Sequence, residues 1–281
     1  MKVTTILTSF SAVIATALLA ISCVKETGMK VATIQPDFSN KSFVQVYNGT
    51  LSSTRNYIYV DGNAVTGAAV AYNGFFPLTP SNFSVTSGVR AFLIRDTLLT
   101  STQPPMSFAE SFEAGKFYTI FMYDTVNAAK QKTVKNNIVI PSDTTSRIRF
   151  ANFAYSPLAI PAIDIFSVKR NANIFSNVST TEVTEYIPFA SSSKTIENDT
   201  LIVRIAGSGT NLMNRTVVTS GTPPVTVTTF SNVQIIVAPT RLRSYTLVFR
   251  GGWRSDIISN TVGTTTTTYP TVRTLSFFSS N

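Results

Sequence analysis

From Phe43 to the end of the chain, apolar residues come in short runs separated by Gly, Pro, Asn and Ser. One series is Phe43–Tyr47, Tyr57–Val60, Val89–Ile94, Phe117–Tyr123 and Ile138–Ile140. A second is Arg147–Phe150, Ile163–Val168, Leu201–Ile205, Val233–Val237, Tyr245–Arg250 and Leu275–Phe278. These runs are rich in Val, Ile, Thr, Tyr and Phe, residues that fit a pleated, half-buried surface, and they predict strands. Arg147-Ile148-Arg149-Phe150 alternates with period two, as a sheet with one wet face requires, whereas in Thr200–Ala206 Ile202 breaks the polar side. No window carries the apolar stripe of a helix. Asp61-Gly62 marks a tight turn, and Gly221-Thr222-Pro223-Pro224 turns Thr216–Thr219 back onto Val225–Thr229. The pattern predicts an all-β protein whose strands bury alternate residues and expose the rest.

The two series read as an internal repeat. Val44–Asn48 matches Ile148–Asn152, Tyr57–Val60 matches Ile163–Phe166, and Phe75–Leu78 matches Tyr186–Phe189. Val89–Ile94 then matches Leu201–Ala206, and Phe117–Phe121 matches Ser244–Val248. The second copy is longer because it carries the Gly221 hairpin and a Thr-rich insertion at Thr264–Thr268. The expected boundaries are a sandwich over 41–143 and another over 146–281.

The order of blocks, clearest at Arg147–Asn152, Glu185–Phe189 and Ser244–Phe249, resembles the domain-of-unknown-function family 4397 of bacterial surface proteins. The resemblance covers nearly all of the chain beyond residue 40. It implies two tandem immunoglobulin-like β-sandwiches in a lipid-anchored protein, and it assigns no activity. Asn48 and Asn152 stand where many members have His or another polar residue.

The N-terminus predicts the anchor. Lys2, an apolar run from about Ile6 to Ile21, and Leu18-Leu19-Ala20-Ile21-Ser22-Cys23 follow the order of a secretory signal ending in a lipidated cysteine. Thr8, Ser9, Ser11 and Thr16 interrupt the run, which argues against a spanning helix. The segment resembles the bacterial lipobox in its Bacteroidetes form. It implies removal of residues 1–22, a lipid on Cys23, a tether over 23–40 and a place on the bacterial outer membrane, on its periplasmic or cell-surface side. Lys25-Glu26 resembles the short charged export tag of such lipoproteins.

Composition narrows the chemistry. The chain has 281 residues, 43% of them apolar and only 13% charged, with Cys23 the sole cysteine. Without histidine, a Ser-His-Asp or Cys-His site cannot be built, and zinc lacks its usual ligands. Glu110/Glu113 and Glu182/Glu185 are the near carboxylate pairs, and both read as solvated loop charges. Ser191–Lys194 has the Ser-x-x-Lys spacing in a loop without the accompanying Lys-Thr-Gly strand. No enzyme, no cofactor, no metal and no nucleic acid is expected. The formal charge of +9, with clusters at Lys130/Lys132/Lys135 and Arg241/Arg243, favours anionic surfaces such as lipopolysaccharide phosphates.

What remains is a binding module for glycan or protein, or a structural spacer within an envelope assembly. The candidate ligand residues are Trp253 in Arg250-Gly251-Gly252-Trp253-Arg254, with its flanking Arg250 and Arg254, and the loop aromatic Tyr155. An exposed ring can stack on a sugar, while a buried one caps the sandwich. Thr97, Thr125, Thr144 and Thr200, each following Asp, resemble the O-glycosylation acceptors of exported Bacteroidetes proteins.

Overall fold

A computed structural model describes residues 37–78, 81–138, 142–143, 145–189, 198–254, 256–269 and 271–280. The first copy contributes β1 (Lys41–Asn48), β2 (Tyr57–Val60), β3 (Asn63–Ala64), β4 (Gly74–Phe76), β5 (Phe83–Thr86), β6 (Gly88–Arg95), β7 (Met106–Phe112), β8 (Phe117–Tyr123) and β9 (Lys130–Asn136). The second contributes β10 (Ser146–Tyr155), β11 (Ile163–Ser167), β12 (Ala172–Val178), β13 (Ile187–Phe189), β14 (Asp199–Ile205), β15 (Met213–Ser220), β16 (Val225–Asn232), β17 (Gln234–Val237), β18 (Ser244–Gly252), β19 (Ile257–Val262), β20 (Thr265–Thr268) and β21 (Thr274–Ser279). Among the described residues the only helical element is a 3-10 turn at Val126–Ala128.

The protein is all-β, and each copy pairs two sheets face to face. In the first, β4-β1-β8-β9, with β5 on the same side of β1 as β4, packs on β3-β2-β6-β7. In the second, β13-β10-β18-β21 packs on β12-β11-β14-β17. Val44, Val46, Ile58, Phe92, Ile94 and Ile120 fill one core; Ile148, Phe150, Ile165, Val203, Leu247 and Phe249 fill the other. Both copies pair their first strand parallel to a late one, β1 with β8 and β10 with β18. Val44 lies opposite Tyr118 as Ile148 lies opposite Tyr245, so the first and fifth repeat blocks are in register.

The other three blocks are not. Asp61 N–H donates to Ala91 and Val168 N–H to Thr200, which makes Ile58 equivalent to Ile165 and Phe92 to Leu201. The second block is therefore slipped by one residue and the fourth by three, each an odd shift that would swap the core and outer faces. The third block falls on different places: Phe75 faces Tyr47, but Ile187 faces Ile148, the position that β5 occupies in the first copy.

The outer face of the β10 sheet is not wet. It packs on the outer face of the β1 sheet, and a third core of Tyr47, Phe121, Ala151, Phe153, Val248 and Phe278 forms between the two sandwiches. Strands β1, β8, β10 and β18 are consequently buried on both faces. Arg149, the expected solvent-side residue of the Arg-Ile-Arg-Phe alternation, is 1% exposed at this junction. Its guanidinium donates to Thr246 Oγ1 at 2.9 Å, Asn136 Oδ1 at 2.8 Å and Thr119 Oγ1 at 3.1 Å, and lies 4.8 Å from the Tyr186 ring centre. Burial lowers its pKa from the ordinary arginine value. Its hydrogen bonds all go to neutral acceptors and aromatic faces flank it, while the Glu185 carboxylate favours the charged form from a distance.

The two insertions of the second copy meet. The Gly221 loop joins β15 to β16 with Thr219 opposite Thr226, as the sequence predicts. The hairpin β19–β20 contains the Thr-rich run. Strands β15 and β19 then pair in parallel, giving a fifth sheet, β16-β15-β19-β20, with no counterpart in the first copy.

Candidate functional site

Strand direction sets where the loops gather. Arg149 touches Thr119 and Phe153 stacks on Tyr123 at 5.0 Å, so β10 runs alongside β8 in the same sense. The ends of β8, β10 and β18 therefore share one apical surface. Lys41 and Phe43 lie at the opposite end, where Phe43 is level with Phe117 at the start of β8. An eight-residue strand spans about 25 Å, which is the separation between chain entry and apex.

A cleft of about 360 Å³ opens at that apex between the sandwiches. Tyr123, Asp124 and Lys130 come from the first copy; Phe153, Tyr155, the Ser156–Ile160 loop and Thr180–Thr181 come from the second. Phe153 is buried and forms the floor under Tyr123, while Tyr123 and Tyr155 are half-buried. At the rim Lys130 Nζ lies 2.7 Å from Asp124 Oδ2. The hydrogen bond with Asp124 holds the Lys130 ammonium above its ordinary pKa, and the phenols of Tyr123 and Tyr155 push the same way. Asp124 itself sits at φ +76°, and its Oδ1 accepts the Thr125 N–H at 2.7 Å, which fixes the turn that carries the carboxylate. Lys132 Nζ donates to the Thr181 carbonyl at 2.6 Å and ties the two walls together. The arrangement offers apolar ring faces beside a fixed ammonium and carboxylate.

Tyr155 belongs to this cleft and Trp253 does not line it. The two are joined through the backbone, where Trp253 N–H donates to the Tyr155 carbonyl at 2.7 Å. The indole is half-buried, packs against the second core and meets Phe249 edge-on at 6.3 Å. Its cationic neighbour is Arg273, whose Cζ lies 5.6 Å from the indole centre. Arg273 also donates to the Trp253 and Met213 carbonyls and to Asn214 Oδ1, fastening the root of the inserted sheet. Arg250 points to the opposite face of β18, with Nε on Ser276 Oγ at 2.7 Å and Cζ 4.7 Å from the Tyr72 ring centre. Arg254 is exposed. Gly251 does not loosen this turn: at φ +100° a Cβ there would come within 2.7 Å of Arg273 Cα, so the position admits only glycine.

The basic clusters divide. Lys130, Lys132 and Lys135 are each engaged, the last with Glu113 at 2.7 Å, while Arg241 and Arg243 are exposed near the chain-entry end. Glu110 accepts from Gln131, and Glu182 accepts the Ser179 N–H. Thr97 is exposed in a loop, Thr125 is half-buried and bridges to Leu51, and Thr200 lies within β14 opposite Ile236. Asp199 is buried and accepts the Ser167 hydroxyl and the Lys169 N–H, so this Asp-Thr pair pins a hairpin. Cys23, Thr144 and Ser191–Lys194 lie outside the described residues. Among the described residues no cluster of His, Cys, Asp or Glu has the form of a metal site.

Sequence reasoning missed Tyr123, Asp124 and Lys130 as members of a site. The signals were Asp124-Thr125 at the end of an aromatic strand and Lys130 in its basic cluster, and nothing local says that this end meets Tyr155.

No protein-family model and no curated protein matches the chain. Among solved structures it is similar to a family 26 carbohydrate-binding module, CBMbc, from Eubacterium rectale Amy13K, in complex with maltoheptaose. The identity is 12%, covering 83% of this chain and 97% of that one, with a TM-score of 0.21. A likeness of that size decides nothing about ligand.

Proposed function

We propose that the chain is a lipid-anchored, non-enzymatic cell-envelope module, of the 4397 type that its sequence resembles, and that it binds carbohydrate in the apical cleft. The observation that carries this reading is the meeting of Tyr123 and Tyr155, from opposite sandwiches, beside the Asp124–Lys130 pair. A sugar ring has apolar C–H faces and equatorial hydroxyls. The tyrosines supply stacking faces, and the ion pair retains both donor and acceptor capacity for hydroxyls. Anchoring through Cys23 on the bacterial outer membrane suits such a role, because the chain enters the body at the end remote from the cleft.

The test is glycan-array retention by wild type and two variants. Tyr155→Ala removes a cleft ring and is expected to abolish retention with an unchanged melting temperature. Trp253→Ala is expected to lower the melting temperature, by about 2 kcal/mol of stability for a half-buried ring, less than the loss for a fully buried one. Retention by Tyr155→Ala equal to wild type would remove the reading.

A second reading, a rigid spacer in an envelope assembly, draws on the buried Arg149 junction that locks the sandwiches together. Wild type that retains no glycan on a broad array would favour it.

A further inference from the structure

The inserted sheet β16-β15-β19-β20 leaves β16 unpaired along one side. This strand is eight residues long, in unbroken register with β15, and Val225–Ser231 is exposed throughout. Val225, Val227 and Phe230 are 59%, 52% and 65% exposed. A long, regular, apolar edge is a template for another strand, and proteins blunt such edges with lysines, prolines, bulges or short length. The same chain does so elsewhere. The edge strand β9 carries Lys130, Lys132 and Lys135; β12 has two register irregularities; β17 is four residues long. Strand β16, Val-Thr-Val-Thr-Thr-Phe-Ser-Asn, has none of these devices.

Charge selects the occupant. The chain carries a formal +9, so two copies repel over most of their surfaces. The inserted sheet is the exception: apart from Arg215 near the start of β15, no charged residue occurs in it, and none lies from Thr216 to Val233 or from Ile257 to Val272. A neutral surface gives no electrostatic guidance toward an acidic partner, but it lets a second copy approach. We propose that β16 pairs antiparallel with β16 of a second copy about a two-fold axis, joining two inserted sheets into one eight-stranded sheet. Closed two-fold pairing covers the β16 edge and leaves only the four-residue β20 at each end of the joined sheet. In such a pair the middle of the strand meets itself, so Thr228 lies beside its own copy. The dimer carries two apical clefts, and the pairing itself does not depend on what they bind.

Sedimentation across a concentration series, on protein carrying Cys23→Ser to keep lipid out of the measurement, tests this. Wild-type β16 is expected to give dimers. Thr228→Lys and Thr228→Glu, exposed substitutions that each place like charges at the axis, are expected to give monomers with unchanged melting temperatures. An equimolar mixture of the two variants is expected to restore dimers. Wild type that stays monomeric, a Lys variant that dimerises as well as wild type, or a mixture that remains monomeric would each overturn the proposal.

Discussion

Arg149 shows how a single residue can be legible in type and hidden in role. Its place in Arg147-Ile148-Arg149-Phe150 assigns it correctly to the face opposite Ile148 and Phe150, both of which lie in the second core. The alternation says nothing about what covers that face. The polar groups that receive Arg149 come from 13 to 97 residues away, at Asn136, Thr119 and Thr246. The junction holds other polar groups of the same kind: Thr246 Oγ1 bonds to Ser280 Oγ, and Asn136 bonds to Thr119. Arg149→Ala would empty a large buried volume and remove three hydrogen bonds from a cationic donor, although Thr246 keeps Ser280 and Asn136 and Thr119 keep each other. Truncating a large buried side chain costs about 2–5 kcal/mol, so a loss of about 3–4 kcal/mol is expected in urea denaturation. A change within about 0.5 kcal/mol, the range of ordinary surface substitutions, would show that the junction does not hold the sandwiches together.

At the scale of elements, aliphatic and β-branched runs were readable and polar strands were not. Strand β9, Lys-Gln-Lys-Thr-Val-Lys-Asn, has little apolar content because it is an edge, and its lysines are what an edge requires. Equivalence between strands was less readable than their existence. Tyr57-Ile58-Tyr59-Val60 offers an apolar residue at every position, so its inward parity cannot be told from composition; the structure buries Ile58 and Val60. Turns are fixed by carboxylates. The Ala91 N–H holds Asp61 below the ordinary carboxylate pKa, the Leu98 N–H does so for Asp96, Lys135 for Glu113 and the Thr145 hydroxyl for Asp143. A lowered folded pKa means that the folded state binds protons less readily than the unfolded chain. The contribution is therefore complete above the unfolded values near 4 and is lost as pH falls through the folded ones. With no histidine in the chain, melting temperature is expected to be flat from about pH 5.5 to 7.5 and to fall on acidification below about pH 4. A transition centred near pH 6.5 would contradict this assignment.

For the whole molecule, the junction matters more than either sandwich. Residues 38–281 form one compact unit, because the outer faces of the β1 and β10 sheets bury each other. That burial also creates the cleft, since no single copy contains both Tyr123 and Tyr155. The sequence therefore disclosed half of the site: Tyr155 as a loop aromatic, but not the rim that the other copy supplies. Hydrogen exchange with and without an oligosaccharide retained on the array tests the shared cleft directly. The account predicts slowed exchange in two stretches at once, 123–130 from the first copy and 153–160 from the second, with 180–181 alongside. Protection confined to one copy, or centred on the inserted sheet or on Arg254, would contradict it.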